Sequence, residues 1–411
     1  MYRQNYPNDP GMHNNMDSHT RTSYRRNPTF FERVGSSLFG ILAGIALLVA
    51  GSGLLFWNEG RAVQTSKSLD EGLSIVQSLR TSEVAFEENS GKLIYLSGGL
   101  KTKEVLTDTL YDVSISAVKL KRQVEMYQWV EQEHKREVNE GSHTKEDITY
   151  SYSQEWRSDL VRSSSFDNTV GHHNPSEFAV QPKEYVASGV WVGAFELSKG
   201  LVEKINQYKD IEASSPSLQP GVQLYMGYYY HGNDPLRPQV GDLKVKFSYA
   251  GLSHSGDQEK TSAEADMVSI IAKQKHNQLE QYETQAGDIL ELLYYGEVSP
   301  KEIFGKEHAH NTFITWAIRL GGWLLMFVGF GCVTRIIAVL VDWLPIVREL
   351  VAMGMHMMNL ALSISLSLTV IAIGWIRYRP LLGIAILVMA STPFILSKLR
   401  VRHNQSSHRN V

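Results

Sequence analysis

The residues of this 411-residue chain most suited to chemistry lie in the stretch GHHNPSEF, residues 171–178, where His172 and His173 stand side by side with Glu177 nearby. Paired imidazoles beside a carboxylate could bind a metal ion or act as a general base. Adjacent residues argue against one shared ion. On a strand they point to opposite faces, and on a helix they diverge by about 100°. No H-E-x-x-H or C-x-x-C accompanies them, and Asn174-Pro175 is itself a turn signal. The stretch therefore reads as a polar turn. His308 and His310, two apart in a candidate helix, also point away from each other.

Lys119, Lys121 and Arg122 form a basic cluster, read as a solvated strand face. The surrounding region, 58–312, holds 26 Lys+Arg against 38 Asp+Glu, which disfavours nucleic-acid binding. Gly98-Gly99 is a hairpin signal and no phosphate-binding loop is present. No catalytic residue, cofactor or metal site is expected.

The elements around these residues divide sharply by hydropathy. No Asp, Glu, Lys or Arg occurs in 34–57, 350–376 or 380–397, and 313–334 contains only Arg319. Apolar runs of roughly 18 or more residues are long enough to cross a bilayer as helices. Arg319, about 9 Å from its segment's end at ~1.5 Å per residue, is expected to snorkel to the headgroups. Residues 1–33 read as a disordered tail, 335–349 as an interfacial loop around Asp342, and 398–411 as a basic tail. Arg21, Arg25, Arg26 and Arg33 precede the first run, and Lys398, Arg400, Arg402 and Arg409 follow the last. That charge bias puts both ends in the cytosol or nucleoplasm and requires an even number of crossings. Arg377 and Arg379 fall on the other side and count weakly against this arrangement. The sole cysteine, Cys332, lies in a membrane segment, so no disulfide forms within one chain.

The expected fold is an α+β membrane protein: four transmembrane helices, one N-terminal and three C-terminal, with a large β-rich luminal domain at 58–312. Within that domain, KLIYLSGGL, DVSISAVKLKRQVEMYQWVEQE, DITYSYSQEW, QLYMGYYYHG, GDLKVKFSYAG, ADMVSIIAKQ and DILELLYYG read as strands. Val124, Met126, Gln128 and Val130 share one face. LSKGLVEKINQY and SPKEIFGKEH read as helices, the latter capped by Ser299-Pro300.

Inside the membrane, Ala361, Ser365 and Thr369 form a small-residue stripe at i, i+4 and i+8, expected to mediate helix packing or assembly. Ser363 and Ser367 form a second line. Leucine at 365 is expected to disturb assembly more than leucine at 363, about 160° away around the helix. The other polar groups at depth are Arg319, His356 and Asn359.

The segments NEGRAVQTSKSLDEGLS, AVKLKRQVEMYQWVE, YSYSQEWRSD, GHHNPS, VGDLKVKFSYAGLS and GWIRYRPL, in this order along the chain, resemble the transmembrane protein 43 (LUMA) family. The resemblance runs from about residue 30 to about 400. It implies a non-enzymatic four-pass scaffold of the endoplasmic reticulum and inner nuclear membrane that helps maintain the nuclear envelope. It also implies self-association, with lamins and emerin as partners. The alternatives are a membrane-embedded lipid-modifying or lipid-handling protein and a channel component.

Overall fold

The computed structural model describes residues 17–140, 143–214, 219–255, 265–340 and 345–381. Among them are four helices, α1 (Phe30–Ile75), α2 (Lys199–Lys204), α3 (Pro300–Leu340) and α4 (Pro345–Tyr378). The fourth expected crossing, 380–397, lies outside the described residues apart from its first two. The chain divides into two compact units, one of residues 1–27 and 99–267 and the other of 28–98 and 268–411.

The first unit is built on one antiparallel sheet. Its strands run in the order Asp17–Arg26, His143–Arg157, Ala117–Glu140, Leu243–Leu252, Tyr228–His231 and Val222–Tyr225. The long strand Ala117–Glu140 organises it. From Leu120 to Gln128 its even-numbered residues are buried and its odd-numbered ones half-buried, as period-two packing requires. Val124 pairs with Val245 and Met126 with Leu243, so aliphatic side chains meet across the strands. Beyond Glu131 the strand is exposed and pairs with His143–Tyr152 as a polar hairpin.

Residues 17–26 correct the expected disordered tail. They pair along ten positions with 143–152. This strand is held by polar and aromatic cross-strand contacts. Thr20 Oγ1 and Thr149 Oγ1 lie 2.9 Å apart, and the His19 ring stacks on Tyr150 at 5.3 Å. The basic cluster is corrected too. Lys119 and Arg122 are buried, Lys119 donating to the Glu203 carbonyl. Only Lys121 keeps partial exposure, over the Tyr208 ring.

In the second unit the membrane segments extend beyond their apolar runs. The expected first crossing and the helical stretch after it are one 46-residue helix, α1. It begins inside the supposed tail because Thr29 and Glu32 form a capping box. The expected Ser299-Pro300 start also opens a single helix, the 41-residue α3, with Ser299 Oγ accepting from the Glu302 N–H. The interfacial loop at 335–349 is corrected at both ends, since α3 continues to Leu340 and α4 begins at Pro345. Among the described residues, three helices are long and apolar enough to cross a membrane, over Phe31–Ile75, Pro300–Ile337 and Met353–Tyr378.

Helices α1 and α3 run antiparallel with a seven-residue register. A Cβ on Gly44 would lie 2.6 Å from the Gly329 carbonyl oxygen, and one on Gly51 would lie 3.1 Å from the Gly322 carbonyl oxygen. Seven residues further along, Asn58 donates to the Thr315 carbonyl at 3.1 Å. A seven-residue spacing keeps one seam facing its partner over two turns at a time, and glycine lets the backbones close. Outside the apolar runs the same unit has a core of Leu69, Leu93, Ile271, Leu290, Ile303 and Phe304.

Candidate functional site

The polar residues of the helical unit converge where the apolar runs of α1 and α4 end. Glu59 of α1 is 2% exposed. Its Oε1 accepts from Arg319 Nε of α3 at 2.8 Å, and its Oε2 accepts from Arg319 Nη2 at 2.9 Å. The indole Nε1 of Trp375, from α4, donates to the same Oε2 at 2.8 Å. One carboxylate therefore ties three helices together. Gly374 makes room for it, since a Cβ there would stand 2.9 Å from Glu59 Cγ.

A second polar set adjoins the clamp. Arg61 donates to Asn311 Oδ1 at 3.1 Å, Thr315 Oγ1 at 3.0 Å and Asn58 Oδ1 at 3.3 Å. Asn311 donates to the Ala62 carbonyl at 3.0 Å. A bidentate guanidinium–carboxylate pair fixes orientation as well as distance, so this constellation sets the depth and rotation of α1, α3 and α4 relative to one another. Arg319 does not snorkel freely, because its guanidinium is spent on Glu59.

The expected assembly residues lie elsewhere on α4. Ala361, Ser365 and Thr369 are exposed, with Thr369 Oγ1 donating to the Ser365 carbonyl of the same helix. Among the described residues, packing uses the other line: Asn359, Ser363 and Ser367 are buried. Asn359 Nδ2 donates to Thr334 Oγ1 of α3 at 2.9 Å. Among the described residues, Ser363→Leu is therefore expected to cost the single chain more stability than Ser365→Leu. Ser363→Leu puts a branched side chain where no space is exposed, a change that typically costs about 1–3 kcal/mol. Ser365→Leu should leave the thermal midpoint in detergent unchanged and act, if at all, on association between chains. Thermal unfolding and membrane cross-linking of both variants check this separately; an equal loss of midpoint would contradict it. His356 is exposed, as is His310, while His308 Nε2 lies 3.2 Å from Asp70 of α1.

In the first unit, the GHHNPSEF stretch is a turn with an inward and an outward histidine. Gly171 takes φ +84°, which favours glycine. His172 is 1% exposed, stacks on Tyr152 at 3.9 Å and meets Trp129 edge-on at 4.7 Å. His173 is exposed. Among the described residues, no group of three or more His, Cys, Asp or Glu is placed to hold a metal ion. Asn174 does the structural work of the turn. It accepts from the Trp129 N–H at 2.7 Å and donates to the carbonyls of Trp129 at 2.9 Å and Val161 at 3.1 Å. Asn174→Ala is expected to lower stability by about 1–3 kcal/mol for each backbone group left buried and unpaired. His173→Ala should stay within about 0.5 kcal/mol of wild type. Thermal unfolding of the full chain compares them, and equal effects would contradict this assignment.

The same unit buries an ion pair. Asp108 is fully buried, and its Oδ2 accepts from Arg122 Nη1 at 2.7 Å and from the Tyr185 hydroxyl at 3.1 Å. Its Oδ1 accepts from the backbone N–H groups of Leu110 and Tyr111, closing a turn. Next to it, the Tyr111 hydroxyl lies 2.7 Å from His231 Nε2. Burial pushes the Tyr111 phenol up and the His231 imidazole down, so both are held neutral near pH 7.

Three long apolar helices locked by a buried polar clamp, with a β-rich region between the first and second, define an integral membrane protein of mixed α and β structure. The chain belongs to the transmembrane protein 43 family. The family described as Transmembrane protein 43 matches residues 126–380. Transmembrane protein 43 of Homo sapiens is 40% identical over 385 residues, covering 93% of this chain and 95% of the relative. That of Mus musculus is also 40% identical with the same coverage. The Drosophila melanogaster homologue is 37% identical over 359 residues, covering 86% of this chain and 93% of the relative. No solved structure matches.

Proposed function

We propose that this protein is a non-enzymatic membrane scaffold of the endoplasmic reticulum and inner nuclear membrane. In this reading it organises protein complexes that maintain nuclear envelope structure and associates with further copies of itself. The compartment and the candidate partners, lamins and emerin, rest on the family resemblance. The observation that carries the scaffold reading is the Glu59–Arg319–Trp375 clamp. The charged pair at the end of the helical bundle is consumed in fixing helix geometry, so it serves positioning rather than turnover.

The basic flanks support a topology with both ends in the cytosol or nucleoplasm and 58–312 in the lumen. The strand at 17–26 competes with it. A crossing by α1 separates that strand from the hairpin it pairs with, because the hairpin follows the crossing. Magnitudes decide between them. Burying about a dozen large apolar side chains of 34–57 is worth roughly 18–36 kcal/mol at ~1.5–3 kcal/mol each. Cross-strand pairs contribute about 0.2–1 kcal/mol each. The crossing therefore wins in a bilayer, and the tail strand is the conformation available without one.

Proximity labelling from residue 1, residue 411 and the 58–312 region, in separate fusions, tests the proposal. Nuclear envelope proteins labelled from both ends, and lumenal proteins from the middle, support it. Labelling of cytosolic proteins from the 58–312 fusion would overturn the topology, and a turnover-dependent chemical activity of the purified protein would overturn the scaffold.

A further inference from the structure

A groove of about 580 Å³ lies between α1 and the C-terminal end of α4, bordered by Trp57, Lys67, Asp288, Arg377 and Tyr378. A second, of about 460 Å³, continues past Tyr378 to Arg379 and shares Lys67. Three features bear on what could occupy them. The first is depth: the groove begins where the uncharged runs of α1 and α4 stop, at Trp57 and Ile376, so it opens at headgroup level. Trp57 is 57% exposed there, as an interfacial aromatic residue would be. The second is charge: Lys67, Arg377 and Arg379 are exposed, and no carboxylate pairs with any of them among the described residues. The groove's acid, Asp288, accepts a 2.7 Å hydrogen bond from Gln64. The third is contrast. These cations stand at the end of α1 that the proposed topology puts in the lumen, where the charge-bias rule for loops disfavours them.

We propose that this groove binds the phosphate of an anionic phospholipid headgroup, with Lys67, Arg377 and Arg379 as its ligands. The acyl chains would lie along the lipid-facing surfaces of α1 and α4. Guanidinium groups match phosphate oxygens in pairs, and the lysine adds a point charge. Closure of the helix dipole by Arg377 alone would leave Lys67, on a different helix, unexplained. The assignment does not depend on the scaffold role.

The test uses the full chain in nanodiscs of phosphatidylcholine with or without phosphatidic acid, phosphatidylserine or inorganic phosphate. Retained lipid is read by native mass spectrometry after detergent exchange. The expected result is selective retention of anionic lipid, weakened about five-fold for each basic residue replaced in Lys67→Gln, Arg377→Gln and Arg379→Gln, with an unchanged thermal midpoint. If the glutamine variants lose stability, Arg377→Lys with Arg379→Lys, which keeps the charge, should preserve retention. Equal retention of neutral and anionic lipid, equal retention by wild type and a folded triple glutamine variant, or competition by millimolar inorganic phosphate as effective as lipid would overturn the proposal. The last of these would mark a free-phosphate site.

Discussion

Replacing Glu59 by alanine is expected to destabilise the helical unit by about 3–5 kcal/mol, the typical cost of stranding one partner of a buried ion pair. Arg319 would keep its charge near bilayer depth with neither of its two carboxylate contacts, and the Trp375 N–H would lose its acceptor. Glu59→Gln should lose less, because an amide oxygen still accepts from Arg319 or Trp375 but carries no charge. The discriminating variant is the double replacement Glu59→Leu with Arg319→Met, which removes both charges together. Replacing a whole buried pair by apolar residues is often neutral or stabilising, so the double variant should recover much of the loss in Glu59→Ala. Thermal unfolding in detergent measures the loss. The distance between spin labels at the exposed positions Val49 of α1 and Leu324 of α3 reports whether the register survives. A Glu59→Ala protein with wild-type midpoint and label separation would remove the clamp from the account.

Asp108→Ala should be comparably severe in the other unit. It leaves Arg122 buried without its partner, again at about 3–5 kcal/mol, and deprives two backbone N–H groups of their acceptor. Asp108→Asn preserves the turn while losing the ion pair, so the gap between the two variants separates these contributions. Limited proteolysis with mass-spectrometric mapping locates the damage. Cleavage should concentrate within 99–267, while the separation of the labels at 49 and 324 stays unchanged. Cleavage spread evenly through both units, with that separation lost, would show that the two do not unfold separately.

How much of this was legible in the sequence depends on the reach of the interaction. The membrane helices were readable because an uncharged run is a local property. So was the strand Ala117–Glu140, whose apolar and polar residues alternate. The turn at 171–178 was readable as a turn, but that His172 faces in and His173 out was not. Glu59 was missed because its partner is 260 residues away and the apolar run stops two residues before it. A lone arginine inside an apolar segment was the available signal that a carboxylate must exist somewhere. The seam of Gly44, Gly51 and Asn58 facing Gly329, Gly322 and Thr315 was also present as two matching seven-residue spacings. Burial of Lys119 and Arg122 could not be read locally, since cationic side chains on a strand are normally solvated.

The unbroken length of α1 makes it a lever. The helix continues 18 residues past Trp57, about 27 Å beyond the apolar run at ~1.5 Å per residue. Its antiparallel neighbour α3 stiffens it on one side. A bilayer thinner than its apolar run is accommodated by tilting, and a tilt change of ~10° would sweep Ile75 sideways by about 5 Å. Membrane thickness would thereby be converted into displacement at the far end of the rod. Spin labels at 75 and 57, on the full chain in bilayers of increasing acyl length, should show the orientation of that vector to the membrane normal changing while their separation stays fixed. A changing separation would mean that the helix bends instead.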